Sequence, residues 1–271
     1  MNSDTVFSFL LYFAQLIGLT IGVFALCGFA VRLFSRTFST MLGRGSGDIF
    51  DITSIIGTPI HELGHAGMCL LFGHTINEIK LWSPSHPDGV YGYVEHSYNR
   101  RNPWARLGCL FIGLGPIFSG LAVTILMLWV CFPTQWSDYL EFSRELTVGS
   151  TDFGVLADGV LSLFRSILVG FGDNWLRSIL GILVILPVSL HISLSWQDIK
   201  SSVGALPIYL LIILIFGIAT MAGGATETVI GWLWLCNIRI MSLFCIVIAF
   251  SAVWVLLALL VRAIQAIIKC F

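Results

Sequence analysis

Six apolar stretches limit how this chain of 271 residues can fold. Hydrophobic residues make up 57% of the chain and charged residues only 11%, whereas about a quarter of the residues in a soluble domain are charged. Each stretch supplies about 20 residues, enough for a helix to cross roughly 30 Å of hydrocarbon. The predicted spans are Thr5–Val31, Ile49–Gly73, Leu107–Phe132, Ser178–Gln197, Leu206–Ala222 and Ile240–Val261.

The composition therefore predicts an all-α polytopic membrane protein, a single integral membrane domain over residues 1–271 with about six transmembrane helices in the lipid bilayer. The first apolar run is longer than the core of a signal peptide and has no basic leader, so we expect it to remain as an anchor. The net charge is −1, so the charge balance is not basic and does not indicate binding to nucleic acid. The seven cysteines include no Cys-x-x-Cys pair, so neither a disulfide framework nor a cysteine zinc site is indicated.

Two connections between the predicted spans are unusually long. Residues 74–103, between the second and third spans, predict a β-hairpin with strands at Ile76–Trp82 and Val90–Tyr98 around a turn rich in proline and serine. Residues 133–175 form an acidic loop, whose apolar part at Val155–Phe171 we expect to be an amphipathic or re-entrant helix. Residues 206–271 hold the C-terminal helices.

The second span carries the motif His-Glu-x-x-His at residues 61–65. On a helix, His61 and His65 lie four residues apart on one face, where two imidazoles can bind one Zn²⁺. Glu62 is placed to accept a proton from an attacking water molecule. An ionisable residue within a span costs roughly 2.5–3.5 kcal/mol on insertion scales, so three of them together indicate a functional site.

A catalytic zinc usually has three protein ligands, so a further ligand must come from elsewhere in the chain. The fourth span holds His191, and Asp198 follows seven residues later, so His191, Ser195 and Asp198 would share one face of a continuous helix. We expect one of these residues to bind the metal and another to support it. Asp158 ranks lower as a ligand because its surroundings are more polar.

With these residues the chain resembles the site-2 protease family of intramembrane zinc metalloproteases. The matching segments are His61–Ala66 and Gly113–Gly120, the latter similar to the Gly-Pro-centred motif of that family. The resemblance implies a metalloprotease core at about residues 50–200, a membrane-associated hairpin between the two motif helices and an aspartate as third ligand. It therefore implies Asp198, with His191 as the alternative. The family's Asn-x-x-Pro…Leu-Asp-Gly block is absent, and Ser195-x-x-Asp198 and Asp158-Gly159 only approximate it.

The function expected from the motif and the resemblance is that of a zinc-dependent endopeptidase with one zinc per chain, which cleaves a membrane-anchored protein in regulated intramembrane proteolysis. Glu62 is then the general base, and Ser195 supports the third ligand. An exposed strand edge of the hairpin would bind unwound substrate by β-augmentation, with Val90, Tyr91, Tyr93 and Val94 presenting it. The alternatives are a metal-binding transporter or channel and a catalytically inactive membrane scaffold of the same fold.

Overall fold

A computed structural model of the protein describes residues 3–43, 45–83, 90–147, 153–170 and 174–270. Within these residues the chain is mostly helical and contains one small two-stranded antiparallel sheet, as the sequence predicts. The helices are α1 (Ser3–Ile17), α2 (Val23–Leu42), α3 (Gly45–Leu71), α4 (Pro103–Cys131), α5 (Pro133–Glu145), α6 (Phe153–Val169), α7 (Trp175–His191), α8 (Trp196–Val203), α9 (Leu206–Ala222) and α10 (Thr226–Cys270).

Three helical segments of the described chain are long and apolar enough to cross a membrane, namely Val6–Leu42, Pro103–Cys131 and Thr226–Ile268. A fourth span results if α7 and α8, which are bent by 57° at a short break, are taken together. Helix α9 is a shorter apolar helix of 17 residues. The chain therefore has helices suited to a membrane, and its division into six spans stays a prediction.

The first of these segments is longer than the predicted span, which ends at Val31. A π-helical turn at Gly18–Gly22 joins α1 to α2 without a break. Helix α2 ends only at Leu42 and is followed by Gly43, whose φ of 59° is in the left-handed region. The part of α2 beyond Val31 carries polar side chains that form hydrogen bonds inside the bundle. Arg32 donates a hydrogen bond to the carbonyl of Leu194, just beyond the end of α7, and Ser35 donates one to the carbonyl of Leu190 in the last turn of α7.

Helix α4 lies at the centre of the bundle and is the most buried of the three long apolar segments. It packs along α3 and also contacts α7 and α8, while α10 packs against α2. One large apolar cluster joins α2, α4, α10 and the link between α7 and α8. Its buried members are Cys27, Val31, Leu114, Ile117, Leu121, Ile192, Leu194, Phe244 and Val247.

Helix α7 ends inside this bundle, where its last carbonyl groups need hydrogen-bond donors from the protein. Side chains from neighbouring helices donate to these carbonyls and to the carbonyl of Leu194 in the link. The donor–acceptor pairs are Trp254 to Leu186 at 2.9 Å, Ser251 to Ser189 at 3.0 Å, Ser35 to Leu190 at 2.8 Å and Arg32 to Leu194 at 2.7 Å. The break between α7 and α8 is thus stabilised by α2 and α10.

The predicted hairpin is present between α3 and α4. Strand β1 (Thr75–Lys80) pairs antiparallel with strand β2 (Tyr93–Ser97), with Thr75 opposite Ser97 and Lys80 opposite Tyr93. The strands are shorter than predicted, and the register shifts between Ile76 and Glu78. Except for Ser83, the predicted turn at residues 83–89 lies outside the described residues.

The acidic segment at residues 133–175 contains α5 and α6. Helix α6 lies where the sequence predicts a helix at Val155–Phe171. Its side chains Leu163 and Ile167 are buried in a cluster with residues of α4, α5, α7 and α10. This segment therefore packs beside the bundle: α5 contacts α4 and α6, and α6 also contacts α10.

Candidate metal centre

The two histidines of the motif lie side by side on α3. The helix continues through the motif although Pro59 is inside it, so His61 and His65 are one turn apart on the same face. Their Nε2 atoms are 3.2 Å apart. Glu62 is 6% exposed and His65 is 9% exposed, so both of these side chains are buried.

Backbone carbonyls orient both imidazole rings. The Nδ1 atom of His61 lies 2.8 Å from the carbonyl oxygen of His191, and that of His65 lies 2.7 Å from the carbonyl oxygen of Ile112. Because a carbonyl oxygen only accepts hydrogen bonds, each Nδ1 carries a proton and donates it. In the neutral rings each Nε2 then has a free lone pair. Metal-binding histidines are commonly held by this kind of hydrogen bond.

Asp198 brings a carboxylate to the two Nε2 atoms. Its Oδ1 lies 3.2 Å from Nε2 of His65, and its Oδ2 lies 3.9 Å from Nε2 of His61. Asp198 also forms a capping box with Ser195 at the start of α8: the Ser195 N–H donates to Oδ2 at 2.7 Å, and the Asp198 N–H donates to the Ser195 Oγ at 3.1 Å. The capping box holds Oδ2, so that Oδ1 is directed at His65.

The three side chains fit a zinc ion. One ligand atom of each of His61, His65 and Asp198 lies within 4.8 Å of the other two. Ligands bound at about 2.0–2.1 Å around a tetrahedral zinc are about 3.3 Å from one another, and two of the three distances here are 3.2 Å. Two imidazole lone pairs and a carboxylate converge, an arrangement that a cation stabilises. Three ligands leave one position for water or substrate.

A break in the predicted fourth span brings Asp198 to this position. The sequence predicts one continuous helix over Ser178–Gln197, but α7 ends at His191 and α8 begins at Trp196 with a bend of 57°. The prediction of a shared helical face for His191, Ser195 and Asp198 is therefore wrong. Ser195 is the N-cap of α8 and hydrogen-bonds to Asp198 there. Because α8 is bent away from α7, Asp198 does not lie on the helical face that carries His191.

The other candidate ligands lie elsewhere. The Nε2 of His191 is 2.9 Å from the Thr53 Oγ1, and its ring packs edge-on against Phe50. Only the backbone carbonyl of His191 contacts the motif, through His61. Asp158 is exposed on α6, which packs against α5 and α10. Within the part of the chain that the structure describes, neither side chain joins the group formed by the motif histidines and Asp198.

Two glycines of the Gly-Pro-centred segment let α4 approach both helices that carry the candidate ligands. A Cβ atom added to Gly115 would lie 2.6 Å from the carbonyl oxygen of Gly64 in α3. One added to Gly113 would lie 2.7 Å from the carbonyl oxygen of Asp198 and would clash with the Ser202 Oγ. Both positions therefore need glycine for steric reasons. The Gly-Pro-centred segment thus sets how α3 and α8 pack on α4.

The base of the hairpin turn is fastened to the first half of α3. The Trp82 Nε1–H donates to the Ser54 Oγ at 2.9 Å, and the Tyr91 hydroxyl donates to the carboxylate of Asp51. Burial, together with this hydrogen bond, raises the pKa of Tyr91 to about 12. The phenol therefore keeps its proton at neutral pH and remains a donor to Asp51.

Beyond these contacts the hairpin reaches the His-Glu-x-x-His motif itself. A Cβ atom added to Gly92 would lie 2.7 Å from the Thr58 Cγ2 and 2.9 Å from the Glu62 Cγ. The backbone at Gly92 therefore packs directly on the α3 face that carries Glu62. Of the residues predicted to present substrate, Val90 and Tyr91 precede β2, and Tyr93 and Val94 begin it.

A cavity of about 500 Å³ opens beside the motif. It lies among α2, α3, the link between α7 and α8, and the hairpin. His61 and Glu62 line it together with Gly92, and Arg32 and Arg36 of α2 line it as well. A peptide segment in this cavity would contact both the motif and the hairpin, next to two cationic side chains.

Some parts of the site are not visible to motif analysis. The carbonyl groups of His191 and Ile112 orient the histidines, but every residue has a carbonyl, so the sequence carries no signal for them. Gly92 does carry a signal, since an isolated glycine in a strand pattern often marks close approach of the backbone to another group.

Comparisons of the chain with protein-family models, with curated proteins and with solved structures found no match. The relation to the site-2 proteases therefore stays a resemblance, based on residues 61–66 and 113–120.

Proposed function

We propose that this protein is a zinc-dependent intramembrane endopeptidase that hydrolyses a peptide bond of a membrane-anchored protein, as in regulated intramembrane proteolysis. The observation that supports this most is the convergence of His61, His65 and Asp198 beside the buried Glu62. The two Nε2 atoms are 3.2 Å apart, Oδ1 of Asp198 is 3.2 Å from His65 Nε2, and its Oδ2 is 3.9 Å from His61 Nε2. Two imidazoles, one carboxylate and a neighbouring free carboxylate are the components of a hydrolytic zinc site of the His-Glu-x-x-His type.

The residues of the site have distinct roles in this proposal. His61, His65 and Asp198 would hold the zinc ion. When bound, zinc supplies Lewis acidity, which polarises a carbonyl group and lowers the pKa of a water molecule towards about 7. Glu62 lies outside the ligand group and lines the cavity, so it accepts the proton of the attacking water and passes it to the leaving amine.

The cavity and the hairpin provide for an extended substrate. A transmembrane helix has its carbonyl groups hydrogen-bonded within the helix, so a substrate must unwind before it can be cleaved. A two-stranded sheet has an unpaired edge on each strand, and such an edge can bind an unwound segment by β-augmentation. Because Gly92 packs against Glu62, a segment bound along β2 would lie near the proton acceptor.

The site would work within the bilayer. In addition to the three long apolar segments, we propose that the bent pair α7–α8, the motif helix α3 and the short helix α9 also cross the membrane, which gives the multi-pass protein with about six spans that the sequence predicts. The break at the end of α7 would then lie at membrane depth, where irregular backbone is tolerated only if it is buried in protein or lines a cavity. The break is enclosed by α2 and α10, whose side chains donate hydrogen bonds to its carbonyl groups.

Glu62→Gln tests the proposal. The substitution keeps the size of the side chain and removes the proton acceptor, so we expect turnover to fall by at least ~10²-fold while zinc stays bound. The wild type and the variant would be reconstituted in phosphatidylcholine vesicles with a fluorogenic library of single-span transmembrane peptides. Cleavage would be followed by fluorescence, and zinc content by mass spectrometry.

Leu63→Ala is the matched control, because Leu63 is next to Glu62 on α3 but is 52% exposed and away from the cavity. This variant should cleave at the wild-type rate. Equal cleavage by wild type and Glu62→Gln would contradict the mechanism. Bound zinc without any cleavage by the wild type would favour the inactive scaffold, and zinc flux into the vesicles that survives Glu62→Gln would favour the transporter.

A further inference from the structure

A second group of metal-binding side chains lies at the junction of α3 and the hairpin. Cys69, His74 and His96 each place one ligand atom within 4.8 Å of the other two. Cys69 is 0% exposed, His74 is 4% exposed and His96 is half-buried. We propose that this group is a second zinc site with a thiolate and two imidazoles as ligands, independent of the proposed protease activity.

The end of α3 brings the first two residues together. Gly73 has a φ of 69°, and the His74 N–H donates to the Cys69 carbonyl at 2.8 Å while the Gly73 N–H donates to the Leu70 carbonyl at 3.3 Å. These two hydrogen bonds define a Schellman motif, in which the side chains at the positions of Cys69 and His74 commonly touch through apolar groups. Here the two positions hold a thiol and an imidazole instead.

The start of α4 fixes the orientation of His74. Its Nε2 lies 2.7 Å from the carbonyl oxygen of Ala105, so Nε2 carries the proton and Nδ1 keeps a lone pair. Gly108 leaves room for this ring, since a Cβ atom there would lie 3.1 Å from the His74 Nε2. The same type of carbonyl contact orients both motif histidines, and it is typical of metal-binding imidazoles.

The hairpin supplies the third residue. His96 lies in β2, and its Nδ1 is 3.0 Å from the Nδ1 of His74. The ring of His74 also stacks on Tyr98, with centroids 4.6 Å apart. The two ring nitrogens are about 0.3 Å closer than the roughly 3.3 Å between neighbouring nitrogen ligands of a tetrahedral zinc, and a buried sulfur is close by, so a small shift of the His96 ring lets all three bind one ion.

The donor set indicates the class of metal. A cysteine sulfur and two histidine nitrogens favour Zn²⁺ over the hard cations Mg²⁺ and Ca²⁺, which prefer oxygen. The Cys69 thiol releases its proton to solvent as the metal binds. The site would clamp the end of α3 to β2 and to the start of α4, one helical turn or about 6 Å along α3 from His65. A zinc ion bound there would stabilise the position of the hairpin against α3 and α4.

Metal content and cobalt spectroscopy of the purified full-length chain test this site. Wild type should bind about two zinc ions per chain, one per site, and His61→Ala, Cys69→Ser and His96→Ala should each bind about one. Cobalt-loaded wild type and His61→Ala should show a thiolate-to-cobalt charge-transfer band, because the first site contains no sulfur. Cys69→Ser should lose this band.

Cys27→Ser is the matched control, because Cys27 is a buried cysteine of α2 outside the group, and it should keep both the second zinc and the band. His96→Ala changes only a half-buried hairpin side chain, so it tests the site even if Cys69→Ser does not fold. A wild type without the thiolate band would overturn the proposal and leave a hydrogen-bonded histidine pair. A second zinc that persists in both Cys69→Ser and His96→Ala would also overturn it. Neither result bears on the first site, which Glu62→Gln tests.

Discussion

The chemistry of the first site depends on which atom of each histidine carries the proton. The Nδ1 atoms of His61 and His65 donate to the carbonyls of His191 and Ile112, so the two Nε2 atoms keep the lone pairs that metal binding requires. The capping box orients Asp198 in a similar way: the Ser195 N–H binds Oδ2, so that Oδ1 lies close to His65. At the scale of single residues, the site is therefore set by hydrogen bonds to groups that do not themselves bind metal.

Asp198 is predicted to be the third ligand. Asp198→Ala should lose zinc because it removes an anionic ligand, whereas His191→Ala should retain it, since the backbone carbonyl that orients His61 remains. Zinc content after purification in chelator-treated buffer measures both effects. If His191→Ala loses the metal and Asp198→Ala keeps it, the two assignments must be exchanged.

Ser195→Ala is the control for the capping function of Asp198. It removes a hydrogen bond from the same capping box, at a cost of about 1 kcal/mol in helix stability, but leaves the carboxylate in place. This variant should therefore bind zinc. Loss of zinc from Ser195→Ala and Asp198→Ala alike would show that the cap, and not ligation, accounts for the effect.

At the scale of elements, the site depends on how closely helices can approach. Helix α4 has no metal ligand, yet Gly115 and Gly113 let it contact α3 and α8 at backbone distance. The break after α7 is equally important, because α8 could not carry Asp198 to the histidines if α7 simply continued. The carbonyl groups at this break accept hydrogen bonds from Arg32, Ser35 and other side chains. These bonds offset the free-energy cost of unpaired carbonyls at a helix end inside a bundle.

Gly113→Ala is predicted to weaken zinc binding without changing the side chain of any ligand. The new methyl group would collide with the backbone of Asp198 and the side chain of Ser202, so α8 must shift. Changes to residues that position metal ligands typically cost 10- to 100-fold in affinity, and we expect about that loss. Competition with a zinc-binding dye would measure it.

Gly67→Ala is the matched control for this experiment. Gly67 also lies in a helix, two residues beyond His65, but a Cβ atom there would meet nothing within 4 Å. The variant should bind zinc like the wild type. Equal zinc affinity of Gly113→Ala and the wild type would mean that α8 adapts to the larger side chain, and the proposed packing role would be wrong.

The hairpin is predicted to bind substrate through the free edge of a strand. Along a strand, N–H groups alternate between the partner strand and the open edge, so proline at Val94 and proline at Glu95 remove donors from different sides of β2. One variant should weaken the hairpin, and the other should block the edge and slow cleavage with zinc retained. Cleavage of the transmembrane peptide library would be compared with zinc content for each variant.

The strand-edge role has a clear contrary result. If neither Val94→Pro nor Glu95→Pro changes the cleavage rate while zinc stays bound, substrate does not pair with β2. Gly92→Ala would then test whether the hairpin acts through its packing on α3 and not through backbone pairing with substrate. Its new methyl group would press on Thr58 and Glu62 without removing a backbone donor.

Local patterns in the sequence account for the parts of the fold that depend on one helix or one hairpin. The four-residue spacing of His61 and His65 and the strand-like pattern of residues 76–98 need no tertiary information. The break before Trp196 does need it, because a serine cap such as Ser195 is common in loops and apolar residues continue on both sides. Cys69 and His74 likewise meet only through the turn at Gly73, and their five-residue spacing matches no standard cysteine zinc motif.

At the scale of the whole molecule, the distribution of exposed apolar side chains follows from a lipid surrounding. Helix α9 exposes apolar side chains on much of its surface, among them Leu211, Ile215 and Ile218, each more than half exposed. On a protein in water such a surface would cause aggregation. Near the start of α10, the indole side chains of Trp232 and Trp234 are also exposed, as is typical of residues at a membrane interface.

The six-span topology predicts that α9 crosses the membrane, although it is short. Its 17 residues extend about 26 Å, a few ångströms less than the roughly 30 Å of hydrocarbon, and local thinning of the bilayer can absorb that difference. Residues 203 and 227, which flank α9, should therefore lie on opposite sides. Val203→Cys and Glu227→Cys place a thiol at each exposed position.

Labelling with a membrane-impermeant maleimide distinguishes the two topologies of α9. In a Cys270→Ser background the remaining native cysteines are buried or half-buried, so the added thiols should react first. Intact vesicles should label one of the two variants and inverted vesicles the other. Labelling of both variants from the same side would mean that α9 lies along the membrane surface, and the predicted six spans would be reduced to five.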